Sequence, residues 1–288
     1  MIKVGNVSEL NEYLYDENWL IVRKPDENPA FVKHEPLLSP SPALFRKYRE
    51  AYHAGLFNQE FFDQVYVPQF LKELAENAEA MTLLKSLVKE STSKDILLAC
   101  YCENESMCHR SIIAGVLLGM GAKIDTDYEY GKYYLMFCKV SAGRIKRITL
   151  KGASGYCCID EAYEDKLIIT PDSISYEYKP HPESNLETNV YRKWSYKTTS
   201  PIFAKLFSEV ERMTPDYLYN DEILMATDIG PTILTVTFED RHRECANFFC
   251  PSEFFADYFR VIKQMVPPCE YTPAVLLTSE DFEDEMNM

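Results

Sequence analysis

The run from Cys100 to Ser111, Cys-Tyr-Cys-Glu-Asn-Glu-Ser-Met-Cys-His-Arg-Ser, gathers three thiols, an imidazole and a guanidinium. A thiolate is a nucleophile and a soft ligand, an imidazole moves protons near neutral pH, and a guanidinium clamps anions. The chemistry these types suggest is that of a small anionic ligand, phosphorylated or nucleotide-like. Cys108 would serve as nucleophile or anion ligand, His109 as general acid/base and Arg110 as anion clamp, with Cys102 as a further reactive thiol. Arg23 and Ser111 are the candidate anion-binding groups beside them.

The elements around the run would position these groups. Asp95 to Tyr101 is a continuous apolar strand, and the helix after it carries Ile112, Ile113, Val116, Leu117 and Met120 before closing near Gly119 and Gly121. Open α/β sheets bind ligands at the carboxyl ends of such strands. With Ser106 as cap, Met107, Cys108 and His109 fall in the first helical turn. There, unpartnered N–H groups attract anions and lower a thiol pKa. Trp19 to Arg23 reads as another buried strand. If the two strands are neighbours, Arg23 faces the same crevice. Residues 108, 109 and 110 lie about 100° apart on a helix of 3.6 residues per turn. They cannot all point at one ligand, so at least one must bond the scaffold.

Competing readings apply to each group. Cys100 sits inside the apolar strand and reads mainly as core. Cys108 shares a face with Ile112, so packing competes with reactivity. Cys100, Cys102, Cys108 and His109 form an alternative metal set. Their Cys-x-Cys-x5-Cys-His spacing lacks the Cys-x2-Cys knuckle of common zinc sites, and no cofactor is firmly implied. A tyrosine-phosphatase loop needs Cys-x5-Arg, which neither Cys102 nor Cys108 makes with Arg110. Cys157-Cys158, His242 in a charged turn, Gly119-x-Gly121 and Arg192-Lys193-Trp194 read as loop, solvated turn, helix stop and strand packing.

A chain of 288 residues, 46% hydrophobic with 20 Tyr and 16 Phe, can fill two cores. Net charge of −15 argues against non-specific nucleic-acid binding. The nine cysteines are odd in number and sparse, the start lacks a signal-peptide core, and no apolar stretch is long enough to cross a membrane. A cytoplasmic protein with reduced thiols is the expectation.

The first half predicts an α/β Rossmann-like domain with a mostly parallel sheet over residues 1–140. It would hold a short helix from Val7 to Tyr15, a loop with five prolines from Pro25 to Pro42, helices opened by Ser41-Pro42 and Asn58, a kink or restart at Pro68, and a third strand starting at Ala122. Ser141-Ala142-Gly143 is the linker. Residues 144–278 predict a smaller α+β domain with a mostly antiparallel sheet. Its strands are 144–150, 166–170, 173–178, 190–198 and 232–239, with helices at 201–213 and 252–266. An acidic tail, 279–288, would fray.

Ile96 to Ala114, containing the Cys-Tyr-Cys and Cys-His-Arg elements, resembles the signature of the domain-of-unknown-function 488 family. Pro36-Leu-Leu-Ser-Pro-Ser-Pro-Ala-Leu-Phe45 and Tyr66-Val-Pro-Gln-Phe-Leu71 are similar to two further segments of that family, in the same order. The resemblance spans residues 15 to 140. It implies a Rossmann-like domain and a site at Cys100, Cys108, His109 and Arg110, and it names no reaction. Many members carry an Asp two residues before the strand arginine. Ile21 stands there in this chain, so no acid role transfers. Residues 144–288 resemble no family of stated function.

Three functions follow, in order: an enzyme or binder of a small anionic ligand; a non-catalytic interaction protein whose C-terminal domain meets a protein partner; and a thiol redox or metal protein.

Overall fold

The computed structural model describes residues 1–26, 29–220, 226–279 and 281. It divides into two units, Met1–Ala142 and Gly143–Met288.

The first unit holds a five-stranded, all-parallel sheet in the order β3-β2-β4-β1-β5. Its strands are β1 (Ile2–Asn6), β2 (Glu17–Leu20), β3 (Val32–His34), β4 (Ile96–Cys100) and β5 (Ile124–Asp125). β4 is buried along its whole length between β1 and β2, which explains its unbroken apolar run. Helices α1 (Pro42–His53), α2 (Gln59–Phe61), α3 (Val67–Glu76), α4 (Ala78–Glu90), α5 (His109–Gly119) and α6 (Lys132–Ser141) complete the unit. Ser41 Oγ accepts from Leu44 N and Asn58 Oδ1 from Phe61 N, as the capping signals predict. Pro68 sits in the first turn of α3, and the preceding turn, Phe62–Tyr66, is a π turn that absorbs the restart. Gly121, at φ +88°, stops α5 by donating to Leu118 O, while Ala122 N donates to Leu117 O.

Two local expectations are corrected and one is refined. Val7 to Tyr15 is no helix beyond a single 3₁₀ turn at Val7–Glu9. Asn6 and Glu9 close that turn reciprocally. Asn11 and Asn18 then exchange two hydrogen bonds, N–H of Asn11 to Asn18 Oδ1 and Asn18 Nδ2 to Asn11 O, which draw the chain into β2. The proline-rich stretch, read as mostly loop, also holds β3 and a 3₁₀ turn at Pro36–Leu38. The strand that ends near Arg23 closes earlier, at Leu20, so Arg23 lies on the loop beyond it. β1, α3's partner α6 and a strand over Arg243–Phe248 were not anticipated.

The second unit is a six-stranded antiparallel sheet, β11-β10-β6-β7-β8-β9. It comprises β6 (Ile145–Ala153), β7 (Tyr163–Thr170), β8 (Ser173–Pro180), β9 (Arg192–Lys197), β10 (Thr232–Phe238) and β11 (Arg243–Phe248). Helices α7 (Pro201–Leu218) and α8 (Ala256–Lys263) pack together, and Thr214 Oγ1 lies 2.8 Å from Tyr258 Oη between them. Buried Asp165 on β7 accepts from Tyr176 Oη and from Val275 N, at 3.0 and 2.7 Å, and so holds the chain near 275 against the sheet. Of the expected acidic tail, Asp281 is held by Lys263 at 2.6 Å and accepts from Thr278 N, while 280 and 282–288 lie outside the described residues. No helix among the described residues is long and apolar enough to cross a membrane.

Candidate active site at the carboxyl end of the parallel sheet

β4 delivers Cys100 to the end of the sheet, and the loop 101–107 returns the chain to α5. The helix starts later than the sequence suggests. Asn104 Oδ1 accepts from both N and Oγ of Ser106, at 3.1 and 2.8 Å, so Ser106 closes a loop turn and does not cap the helix. Cys108 is the N-cap residue, extended at φ −130°, ψ 149°, and its side chain makes no cap bond. Its sulfur is thereby left to face Cys100 and Cys102. The three Sγ atoms lie within 4.8 Å of one another, with Cys100 and Cys102 at 3.6 Å. Cys100 is 3% exposed and Cys108 2%, while Cys102 is half-buried. The core reading of Cys100 is therefore incomplete, because its sulfur belongs to the cluster.

His109 completes the group. Its Nε2 is 2.7 Å from the carbonyl of Ile21, which can only accept, so Nε2 carries the proton. Burial holds the ring neutral by pushing its pKa down. Nδ1 then presents a lone pair 3.6 Å from Cys108 Sγ and 3.9 Å from Cys100 Sγ. Within the cluster, hydrogen bonds from Cys102 and Cys108 hold the Cys100 thiol well below its ordinary range, helped by Arg110. Cys102 is pushed up by its bond to Cys100, and Cys108 by burial. The cluster favours one thiolate shared among three sulfurs.

Arg110 corrects an expectation. Its guanidinium is 3% exposed and turns away from the crevice. Nη1 donates to Gly5 O at 3.0 Å and Cys102 O at 2.8 Å, and Nε lies 3.7 Å from a Glu105 carboxylate oxygen. It ties β1 to the loop after β4, a scaffold contact where the sequence reading made it an anion clamp. Ser111 is likewise fully buried and donates to Cys108 O at 2.8 Å, which keeps it out of the crevice.

The crevice is a cavity of about 380 Å³ with the cluster as its floor. Phe45, Tyr48, Phe57 and Tyr66 form an aromatic wall, in which Tyr48 and Phe57 meet edge-on at 4.8 Å. Exposed Arg23 and Lys24 stand at the mouth, with Arg23 over the Phe45 ring at 5.5 Å. Tyr101 Oη accepts from Asp26 N at 2.8 Å and fixes that mouth loop. Arg23, Cys102, Cys108 and His109, which the sequence reading grouped, all line this cavity. That reading missed the aromatic wall and Lys24. The signal was the run of aromatic residues on the apolar face of α1, whose destination only the tertiary fold decides.

The arrangement can do two things chemically. The Cys108 thiol can give its proton to His109 Nδ1, the geometry of a base-activated nucleophile. The four donors Cys100, Cys102, Cys108 and His109 can also hold a soft metal ion.

The profile of the family described as DUF488-N3a, the "Active DUF488-N3 subclade", matches residues 9–121. The N-terminal half belongs to the DUF488 family. The matched span of this DUF488 domain contains every residue of the cavity. No curated protein matches the chain.

Proposed function

We propose that the DUF488 domain binds a small anionic molecule with a planar group, of nucleotide-like chemistry, and acts on it at the thiol–imidazole floor. The observation that carries this is a cavity with three distinct surfaces. Cations stand at the mouth, aromatic rings line the wall, and sulfur with imidazole closes the end. A planar group gains from edge and face contacts with aromatic rings, and a phosphate or carboxylate gains from the arginine and lysine. Arg23 and Lys24 take the anion. His109 Nδ1 is the general base, and the thiolate shared by Cys100, Cys102 and Cys108 supplies the sulfur nucleophile. Arg110 is a positioning residue that holds the loop carrying Cys102. The description of the matched family as an active subclade agrees with chemistry at this site.

Native mass spectrometry of the purified full chain tests the reading, with release and identification of any small molecule that accompanies it. The expected result is an anionic, ring-bearing compound, bound by wild type and lost from Arg23→Gln. A chain that carries no such compound, and takes none up from a mixture of nucleoside mono- and diphosphates, would overturn it.

A further inference from the structure

We infer that the floor of the cavity is a zinc site, with Cys100, Cys102, Cys108 and His109 as its four ligands. This deepens the proposed function by naming the ion of the same site, and it stands even if the ligand proves not to be nucleotide-like. In a tetrahedral zinc site with Zn–S near 2.3 Å and Zn–N near 2.0 Å, neighbouring sulfurs lie roughly 3.8 Å apart and sulfur to nitrogen roughly 3.6 Å. Cys100 and Cys102 are already at 3.6 Å, and His109 Nδ1 is 3.6 and 3.9 Å from two of the sulfurs. All three sulfurs fall within 4.8 Å. The three sulfurs form the compact part of the set, and His109 Nδ1, beside Cys100 and Cys108, is the fourth donor.

Three further features are those of a ligand shell. Histidines that bind metal through one ring nitrogen donate the other N–H to a carbonyl or carboxylate, which fixes the tautomer and aims the lone pair. His109 does this with Ile21 O at 2.7 Å. The backbone of the ligand loop is also fixed. Arg110 Nη1 and Asn6 Nδ2 both donate to Cys102 O, at 2.8 and 3.2 Å. Finally, the donors are soft thiolates and an imidazole, the set that selects zinc over magnesium or calcium. Among the described residues the other six cysteines join no such group: Cys157, Cys158, Cys245 and Cys269 are exposed, Cys138 is half-buried and Cys250 is buried.

Binding is balanced as proton exchange. The two sulfurs that are still protonated each release a proton as they bind, the shared thiolate binds as it stands, His109 binds neutral, and no electrons move. The ion then carries the sulfurs that would otherwise act as nucleophiles. With zinc bound, the three sulfurs and His109 Nδ1 would serve as ligands in place of the nucleophile and base roles proposed above, and the anion-binding mouth would be unchanged.

The test uses the full chain, purified from zinc-supplemented culture and dialysed without strong chelator. Elemental analysis is expected to find one zinc per chain. Exchange into cobalt(II) is expected to give thiolate-to-cobalt charge-transfer bands and the strong visible bands of a tetrahedral site. Cys102→Ser and Cys108→Ser are expected to lose the stoichiometric zinc, while the Cys157→Ser, Cys158→Ser pair keeps it. Because Cys108→Ser could fail to fold, the cobalt spectrum of wild type stands as a measurement that needs no variant. Sub-stoichiometric zinc in wild type, with no charge-transfer bands after cobalt addition, overturns the inference. So does unchanged zinc in a folded Cys102→Ser variant. Anion binding that still depends on Arg23 would, in that event, leave the proposed function standing.

Discussion

Replacing Arg110 separates a scaffold role from a ligand role. In Arg110→Ala the carbonyls of Gly5 and Cys102 lose a charged donor inside the protein, where they had been bonded at 3.0 and 2.8 Å. A buried polar group left without a partner costs about 1–3 kcal/mol, and the side-chain void adds to that. Glu105 is partly exposed and returns to water at little cost. The expected loss is about 3–5 kcal/mol, in the range measured when one partner of a buried charged network is removed. For a unit of this size that is roughly a 10–15 °C fall in Tm. Arg110→Lys keeps the charge but reaches fewer carbonyls, so it should recover about half of the loss. The assay is urea unfolding followed by tryptophan fluorescence. Trp19 reports the first unit from a buried position, and a Trp194→Phe background removes the second signal. An Arg110→Ala chain with unchanged midpoint and selectively lost anion binding would refute the reasoning and restore the clamp.

Other outcomes follow from the same contacts. Gly115→Ala should destabilise the first unit by about 2 kcal/mol or more despite its better helix propensity. A Cβ there would lie 1.9 Å from the Tyr130 carbonyl oxygen, and the same urea series measures it. In the second unit, burial raises the Asp165 carboxyl to about 6. Its stabilising contribution is therefore fully present below about pH 4, its unfolded value, and is lost as pH rises through about 6. Between those limits the unit should lose roughly 3 kcal/mol, and Asp165→Asn should flatten that slope in denaturation at pH 4 to 7. A slope unchanged by the substitution would show that Asp165 does not carry it.

The parts of the fold that could be read ahead are those in which local pattern and tertiary role agree. β4 is apolar on both faces because strands flank it and helices cover it. α5 ends where Gly121 supplies a positive φ, and α1 starts where Ser41 and Pro42 satisfy its first turn. β1 escaped because five residues with Lys3 and Asn6 carry no turn signal, and its strand character comes from pairing with β4 and β5. The expected helix after it rested on the spacing of Leu10 and Leu14, yet Leu14 is exposed and two asparagines redirect the chain. At the site, helix geometry required that one of Cys108, His109 and Arg110 serve the scaffold. It could not say which, because that depends on Gly5 being one strand away from Cys100. Arg23 was legible from its place after a strand. The aromatic wall was not, since Phe45 and Tyr48 on α1 meet Phe57 from the loop after it and Tyr66 from the π turn only in the tertiary fold.

The central claim is that Arg23 and Lys24 hold the anion of a planar ligand whose ring lies along the aromatic wall. Isothermal titration of the full chain with adenosine 5′-monophosphate, adenosine and inorganic phosphate tests it most directly, in wild type and in Arg23→Gln, Lys24→Gln. The account predicts that the monophosphate binds more tightly than either fragment. It also predicts that the double substitution weakens it by about tenfold to a hundredfold, the loss of one or two charge-assisted hydrogen bonds, while leaving adenosine unaffected. Equal, weak binding of all three probes, unchanged by the substitutions, would contradict it.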